Sequence, residues 1–315
     1  MSRDGAVLAL SGGVGGAKLA LGLYRALPPD TLTVVANTGD DFEHLGLSIS
    51  PDLDTLLYTL SGEANPELGW GRRGETWTFM TALEKLGGAN WFKLGDSDLA
   101  THVERTRRLA AGEKLSAIMD DFRRRLGIAA RLLPASDDKV RTRLETDIGW
   151  LDFQDYFVRL SCEPVVKRLE FAGATGARPN PDFLAALADP ALRAVVVCPS
   201  NPFISIDPIL AVPGVRRALR DCAAPVVAVS PIIGGKAVKG PTAKMMEELG
   251  LPVDAGAVAR HYGDFLDLYI IDETDRDNAP ELGIPVVFAQ TLMVTLEDRE
   301  ALARAVLAAA DRLRR

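Results

Sequence analysis

The stretch Leu8-Ala-Leu-Ser-Gly-Gly-Val-Gly-Gly-Ala-Lys18 places four glycines within five positions, between an apolar run and a helical pattern. A glycine-rich turn from a strand into a helix lets backbone N–H groups approach phosphate oxygens, and the helix dipole favours the anion. A tight turn that needs only positive φ is the alternative interpretation. The residues predicted to bind phosphate are Gly12, Gly13, Gly15 and Lys18.

The loop does not match the two common nucleotide-binding motifs. Leu19 follows Lys18 where a Walker A loop requires Ser or Thr, so the hydroxyl ligand for magnesium is missing. Lys18 also stands where a dinucleotide fingerprint requires its third glycine. The interpretation as an NAD(P)-dependent oxidoreductase would therefore rest on fold analogy alone. The loop by itself does not identify which nucleotide binds.

Short apolar runs predict the strands of a parallel sheet. They are residues 6–10, 32–36, 194–198, 225–229 and 268–272. Continuous rather than alternating hydrophobicity is typical of strands covered on both faces, and helical patterns separate the runs. We predict an α/β fold with a doubly wound, mostly parallel sheet flanked by helices.

The middle of the chain has a different pattern. Residues 98–126 read as two amphipathic helices joined near Gly112, followed by two plausible strands in "VRTRLETD" and "IGWLDF". We predict a smaller, largely helical insertion at residues 75–180. Residues 1–74 and 181–315 then form the nucleotide-binding core.

Composition limits the classes of partner. The chain has 315 residues, 47% of them hydrophobic, and a formal net charge of −7, which argues against general nucleic-acid or anionic-membrane binding. Its three cysteines lack the spacing of a metal site or a disulfide framework. No signal peptide or membrane span is evident, so we expect a soluble cytoplasmic protein.

Carboxylates follow the second predicted strand. Asp40 lies at the predicted carboxyl edge of the sheet, and Asp54 lies in the first turn of the next helix. Two converging carboxylates beside a diphosphate can hold Mg²⁺, or one can accept a proton from an attacking hydroxyl. Solvated turn aspartates are the alternative. For Asp52, a favourable interaction with the dipole of its own helix is as good an explanation as a functional role.

Two later loops also follow strands. Ser200 and Asn201, in "CPSNPF", offer groups suited to a base or ribose, unless the segment is only a rigid turn. In "SPIIGGKAVKGPTAK", glycine backbone and mobile lysines suit a di- or triphosphate. The phosphate-binding candidates there are Gly234, Gly235 and Lys236, with Lys239 and Lys244 nearby.

The segment "KLGDSDLATH" is a further candidate. Lys93 ends an apolar run, Gly95-Asp96 forms a turn, and Asp98 begins the helix that carries His102. A lone helical histidine is more often a packing or capping residue than a catalyst, so we interpret His102 that way.

Together, "SGGVGGAK", "NTGDD", "SPDLDT", "KLGDSDLATH", "LPASDD", "PSNPFISI" and "SPIIGGKAVKGP" resemble the 2-phospho-L-lactate transferase family of deazaflavin coenzyme biosynthesis. The resemblance runs in order from residue 6 to about residue 275. "GWGRRGETW" at residues 69–77 is closer to bacterial members, some of which use phosphoenolpyruvate-derived donors.

The resemblance implies a Rossmann-like, commonly dimeric enzyme. Such an enzyme joins a three-carbon phosphoacid to the ribityl hydroxyl of 7,8-didemethyl-8-hydroxy-5-deazariboflavin, a deazaflavin alcohol. The donor is a guanosine-diphosphate derivative of lactate, enolpyruvate or glycerate; GMP leaves, and Mg²⁺ is required. The resemblance implies that Asp40 and Asp54 hold the metal and act in catalysis. It assigns Asp54, Lys93 and Asp96 to the deazaflavin.

The sequence departs from the family at Ser97, where members often carry Arg, and this leaves donor preference open. A related group with the same fold resembles a nucleotide-sugar-sensing regulator without transferase activity. That regulator is the alternative function.

Overall fold

Fourteen strands and eleven α-helices are found in the computed structural model, which describes residues 5–67, 69–238, 240–278 and 281–313. The strands are β1 (Val7–Ser11), β2 (Leu32–Ala36), β3 (Phe42–His44), β4 (Leu47–Ile49), β5 (Arg131–Pro134), β6 (Arg141–Thr146), β7 (Gly149–Asp152), β8 (Val166–Ala172), β9 (Ala194–Val197), β10 (Val226–Val229), β11 (Ile232–Ile233), β12 (Lys236–Ala237), β13 (Leu268–Asp272) and β14 (Val286–Ala289). The helices are α1 (Gly13–Ala26), α2 (Pro51–Ser61), α3 (Thr78–Lys85), α4 (Asp96–Ala110), α5 (Leu115–Arg125), α6 (Pro181–Leu187), α7 (Asp207–Leu210), α8 (Val215–Arg220), α9 (Thr242–Glu248), α10 (Ala255–Tyr262) and α11 (Leu296–Leu313).

Seven of the strands form one parallel sheet in the order β14-β13-β10-β9-β1-β2-β5. The five predicted apolar runs are confirmed as β1, β2, β9, β10 and β13, and the predicted α/β class is confirmed with them. The order of the strands reverses at β1, which pairs with β2 on one side and with β9 on the other. In open parallel sheets, ligands bind outside the carboxyl ends of the strands at such a reversal.

Each face of the sheet is covered by its own apolar core. In β1, Leu8 and Leu10 belong to one core, while Val7 and Ala9 belong to the other. Helices α1, α2 and α11 pack on the second face, where α1 contacts both of the others. Burial on both faces explains why these strands are continuously apolar.

The segment predicted as an insertion, residues 75–180, contains the predicted elements and also one strand of the core sheet. The two predicted helices are confirmed as α4 and α5, and the two predicted strands as β6 and β7. Strand β8, which was not predicted, joins them in an antiparallel sheet of order β7-β6-β8. However, β5 lies inside residues 75–180 and pairs in parallel with β2, with Arg131 opposite Thr33. The chain therefore returns to the core sheet in the middle of residues 75–180. A four-residue edge strand is too short to show a distinct hydrophobic period, which is why β5 was missed.

No helix in the described ranges is long and apolar enough to cross a membrane.

Candidate functional site

The glycine loop and the loop after β9 face each other across the reversal of the sheet. Ser200 Oγ accepts a hydrogen bond from the Gly12 N–H at 3.1 Å and donates one to the Gly12 carbonyl at 2.8 Å. The Asn201 side chain accepts from the N–H groups of Phe203 and Ile204, at the start of a π-helical turn. Ser200 therefore ties the glycine loop to the segment after β9, and Asn201 caps the turn that follows.

The glycines are required by close packing as well as by the turn. Gly13 has φ +63°. A Cβ at Gly15 would lie 2.7 Å from the Pro199 carbonyl oxygen, and one at Gly12 would lie 2.6 Å from Ser205 Cβ. These contacts leave no space for a larger residue at Gly12 or Gly15. The first residues of α1 line the cavity beside the loop.

A cavity of about 620 Å³ opens over this edge of the sheet. Its walls combine polar loops, carboxylates and aromatic rings from the insertion and the segments around it. The polar residues include Gly12, Gly13, Gly15, Lys18, Ser200, Asn201, Asp40, Asp52 and Asp54. The aromatic residues are Tyr58, Trp70, Trp91, Phe92, Phe153 and Phe157. Most of the predicted site residues therefore share one cavity.

Asp52 has a role that the sequence did not indicate. Its carboxylate accepts from the Gly13 N–H at 2.7 Å and from Asn37 Nδ2 at 2.9 Å, so it acts on α1 and not on its own helix. Burial raises the pKa of Asp52 to about 6, although the hydrogen bonds from Gly13 and Asn37 oppose the shift.

Asp40 lies on the cavity wall and is 7% exposed. Its Oδ1 has no hydrogen-bond partner within the described residues. Burial, and then the charge of Asp52, raise the pKa of Asp40 well above its ordinary value. The backbone carbonyl of Asp40 accepts from Gln154 Nε2 at 3.1 Å, which ties this loop to the smaller sheet.

Asp54 forms a buried ion pair that the sequence analysis missed. Both of its oxygens face Arg105, with Nη1 3.1 Å from Oδ2 and Nη2 in close contact with Oδ1. The Arg105 side chain is fully buried. A charge this deeply buried is tolerated because it is paired.

The same network includes His102, which we had interpreted as a packing residue. His102 is buried but lines the cavity, with Nε2 3.1 Å from Asp98 Oδ2 and Nδ1 3.7 Å from Asp54 Oδ2. Tyr58 donates to Asp98 at 2.6 Å. The signal in the sequence was the spacing of Asp98, His102 and Arg105, which puts them on one face of α4.

Lys93 and Asp96, both predicted to bind the deazaflavin, lie in different surroundings. Lys93 is exposed and lines the cavity. Asp96 is not among the lining residues; its carboxylate accepts from the N–H groups of Thr78 and Phe79 at the start of α3. Hydrogen bonds, first from Thr76, lower the pKa of Asp96. Its assignment to the deazaflavin stays a prediction, and the geometry gives it a capping role.

The glycine pair at Gly234 and Gly235 forms the tip of the β11–β12 hairpin, with φ +56° and +70°. Gly234 N–H donates to Asp275 at 3.0 Å. These glycines and the exposed Lys236 do not line the cavity, although Ile233 and Val238 on either side do. Positive φ at both turn positions explains the glycines without a phosphate.

The predicted lysines have specific contacts or lie elsewhere. Lys18 Nζ donates to the Met293 carbonyl at 2.8 Å. Lys244 pairs with Glu248 and donates to the Pro164 carbonyl at 2.8 Å, away from the cavity. Lys239 lies outside the described residues.

The residues present fit a magnesium ion only in part. Across the described ranges, no group of three or more His, Cys, Asp or Glu side chains could hold a metal. Mg²⁺ needs only one or two carboxylates when phosphate oxygens and water complete its shell. Asp40 fits this requirement, because its buried Oδ1 has no hydrogen-bond partner in the part of the chain that the structure describes. Asp54 fits less well, because Arg105 already engages both of its oxygens.

The family model and the curated relatives agree on one family. The family model for the 2-phospho-L-lactate transferase CofD matches residues 7–301. A phosphoenolpyruvate transferase from Kitasatospora aureofaciens is 41% identical over 318 residues, covering 98% of each chain. One from Mycobacterium tuberculosis is 39% identical, covering 97% of this chain and 98% of its own. Among solved structures, a UPF0052 family protein from Bacillus halodurans superposes with a TM-score of 0.65 at 15% identity, covering 98% of this chain and 100% of its own. That likeness concerns the fold.

Proposed function

The chain belongs to the CofD family of 2-phospho-L-lactate transferases, and from this membership we propose a specific transfer reaction. A three-carbon phosphoacid passes from a guanosine-diphosphate-linked donor to the ribityl hydroxyl of 7,8-didemethyl-8-hydroxy-5-deazariboflavin, and GMP is released. The product is a phosphodiester precursor of coenzyme F-420.

The observation that carries the proposal is the composite cavity. One part offers the backbone of the glycine loop at a helix N-terminus, which suits a diphosphate. Another part is lined by Trp70, Trp91 and Phe92, whose rings suit a flat heteroaromatic acceptor. The volume of about 620 Å³ lies in the middle of the range for ligand pockets. A single continuous cavity with both linings supports a reaction between two bound substrates.

We propose an enolpyruvyl group as the three-carbon unit. The relatives named phosphoenolpyruvate transferase support this choice, since they are about 40% identical over nearly the whole chain. We further propose that the enzyme acts as a homodimer, as the resemblance to its family implies, and in the cytoplasm, as the sequence predicts.

In the proposed reaction the acceptor hydroxyl attacks the phosphorus that carries the three-carbon group. A new P–O bond forms, and the P–O bond to GMP breaks with its electron pair leaving on the GMP oxygen. The hydroxyl proton passes to the Asp54 carboxylate and from there to solvent. Such transfers depend on positioning and charge stabilisation more than on covalent catalysis. The glycine loop orients the diphosphate, and the aromatic wall orients the acceptor.

The carboxylates have different roles in this proposal. Asp40 would hold Mg²⁺ through its unpartnered oxygen, and the bound ion would neutralise charge on the diphosphate. Asp54 would face the attacking hydroxyl while Arg105 fixes its orientation. His102 and Asp98 continue that network along α4.

Mass spectrometry of the products would test the proposal. The purified protein is incubated with the deazaflavin alcohol, Mg²⁺ and the three guanylylated donors in competition. We expect one phosphodiester, carrying the enolpyruvyl group, together with an equal amount of GMP. Asp40→Asn should lose most of the turnover. Asp152→Asn is the matched control, because it removes the same charge from an exposed side chain paired with Arg143.

Two outcomes would contradict the proposal. Turnover in Asp40→Asn equal to that of the control would remove Asp40 from the machinery. Absence of product with every donor, from folded protein that binds a UDP-sugar, would favour the nucleotide-sugar-sensing regulator.

A further inference from the structure

The first two N–H groups of the glycine loop are already occupied. Gly12 N–H donates to Ser200 Oγ at 3.1 Å, and Gly13 N–H donates to Asp52 Oδ1 at 2.7 Å. A phosphate at the N-terminus of α1 must therefore use N–H groups further along the first turn. It must also lie close to the carboxylate that holds Gly13, because Asp52 lines the same cavity.

The Asp52 carboxylate cannot easily turn away from that position. Its other oxygen accepts from Asn37 Nδ2 at 2.9 Å. Asn37 is itself held, since its Oδ1 accepts from Gly39 N–H at 2.7 Å and its Nδ2 also donates to the Ile204 carbonyl at 3.1 Å. Asp52 is 4% exposed, so little solvent screens it.

Asp52 also differs from its neighbour Asp54 in the groups that hold its carboxylate. Asp54 is paired with Arg105, whereas Asp52 accepts its hydrogen bonds from the uncharged Gly13 N–H and Asn37 amide. Asp40 is a second buried carboxylate close to Asp52, and the charge of Asp52 contributes, after burial, to the raised pKa of Asp40. Asp40 is 7% exposed, and its Oδ1 has no hydrogen-bond partner among the described residues. The charge of Asp52 therefore lies beside the place where the diphosphate must bind, in a cavity that Lys18 also lines.

We propose that Asp52 is a positioning residue that makes diphosphate binding at the glycine loop depend on a divalent cation. The inference rests on the proposed function, because it takes the ligand of the loop to be a guanosine diphosphate group. Asp52 keeps the loop in its binding conformation through Gly13, and its charge repels a diphosphate that arrives without a cation. Nucleotide binding and magnesium binding thereby become a single coupled event.

Calorimetric titration of GDP separates these effects without measuring turnover. Each protein is titrated once in Mg²⁺ and once in EDTA. For the wild type we expect binding to be roughly tenfold or more weaker in EDTA, as buried charges in a partly screened site imply. Asp52→Asn keeps an oxygen for Gly13 N–H but removes the charge. It should bind GDP roughly tenfold more tightly than wild type in EDTA, with a smaller gain on adding Mg²⁺.

Two further variants make the result specific. Asp52→Ser removes the same charge with a smaller side chain, and it serves if Asp52→Asn folds poorly. Asp152→Asn removes an exposed carboxylate that does not line the cavity, so its ratio of affinities should equal that of the wild type. A purely structural role for Asp52 would weaken binding by the same factor in both buffers, and that result would overturn the inference.

Titration with inorganic pyrophosphate distinguishes the two proposals. If GDP does not bind but pyrophosphate binds with the expected dependence on Mg²⁺ and on Asp52, the inference holds and the guanosine donor is wrong. If GDP binds to the wild type equally well in EDTA and in Mg²⁺, the inference fails while the proposed function survives. If neither ligand binds in either buffer, both fail.

Discussion

Replacing Arg105 by Met should be among the most damaging single changes in this protein. The Arg105 side chain is fully buried, and it pairs through two nitrogens with Asp54, whose side chain is 7% exposed. Met fills much of the same space but leaves the Asp54 carboxylate buried without its cation. Breaking a buried pair from one side costs about 3–5 kcal/mol, a large part of the roughly 5–15 kcal/mol that stabilises a typical domain.

Urea denaturation followed by far-ultraviolet circular dichroism measures this loss. We expect the midpoint to fall sharply in Arg105→Met while the slope of free energy against urea stays the same. Arg107→Met is the matched control on the same helix, because Arg107 pairs with Glu104 in an exposed position. That variant should be indistinguishable from wild type.

A double variant identifies the cause. Arg105→Met with Asp54→Leu removes both charges, and replacing a buried pair by apolar groups is often close to neutral. The double variant should therefore recover a large part of the lost stability, giving a strong coupling in the mutant cycle. The reasoning is refuted if Arg105→Met is as stable as Arg107→Met, or if the double variant is less stable than Arg105→Met alone.

Other predictions concern a titrating carboxyl, the glycine loop and the acceptor wall. Burial raises the pKa of Asp41 to about 7, so the folded protein binds its proton more tightly and the stability from this group is lost as pH rises from about 4 through 7. The advantage of Asp41→Asn over wild type in urea midpoint should therefore grow between pH 4.5 and pH 8; a constant difference would contradict this. Gly15→Ala would place a Cβ 2.7 Å from the Pro199 carbonyl oxygen, and we expect calorimetry to detect no GDP binding by this variant. In the control Gly176→Ala the new Cβ meets nothing within 4 Å, and this variant should bind GDP normally. Lys93→Ala should raise KM for the deazaflavin alcohol more than it changes kcat, because Lys93 lines the cavity from an exposed position; an unchanged KM in steady-state assays would remove it from the acceptor site.

Local patterns in the sequence were sufficient for the fold class, and they grouped candidate residues that mostly line one cavity. Continuous apolar runs predicted five strands of the parallel sheet, because strands covered on both faces must be apolar throughout. The glycine loop predicted the start of α1, because only glycine tolerates the turn at Gly13 and the approach of Pro199 to Gly15. Since the carboxyl ends of parallel strands meet at one edge, polar residues after several strands could be placed together.

The tertiary structure alone decided which polar groups are partners. Asp54 pairs with Arg105, which lies 51 positions later in the chain, and Gly12 is held by Ser200, which lies 188 positions later. No local period encodes such pairs, because the energy of an ion pair depends on burial and on a separation set by packing. Packing also placed Gly234 and Gly235 at a hairpin tip beside the cavity, and phosphate binding by these glycines stays a prediction. Local sequence shows which residues can do the chemistry, and packing determines which of them meet.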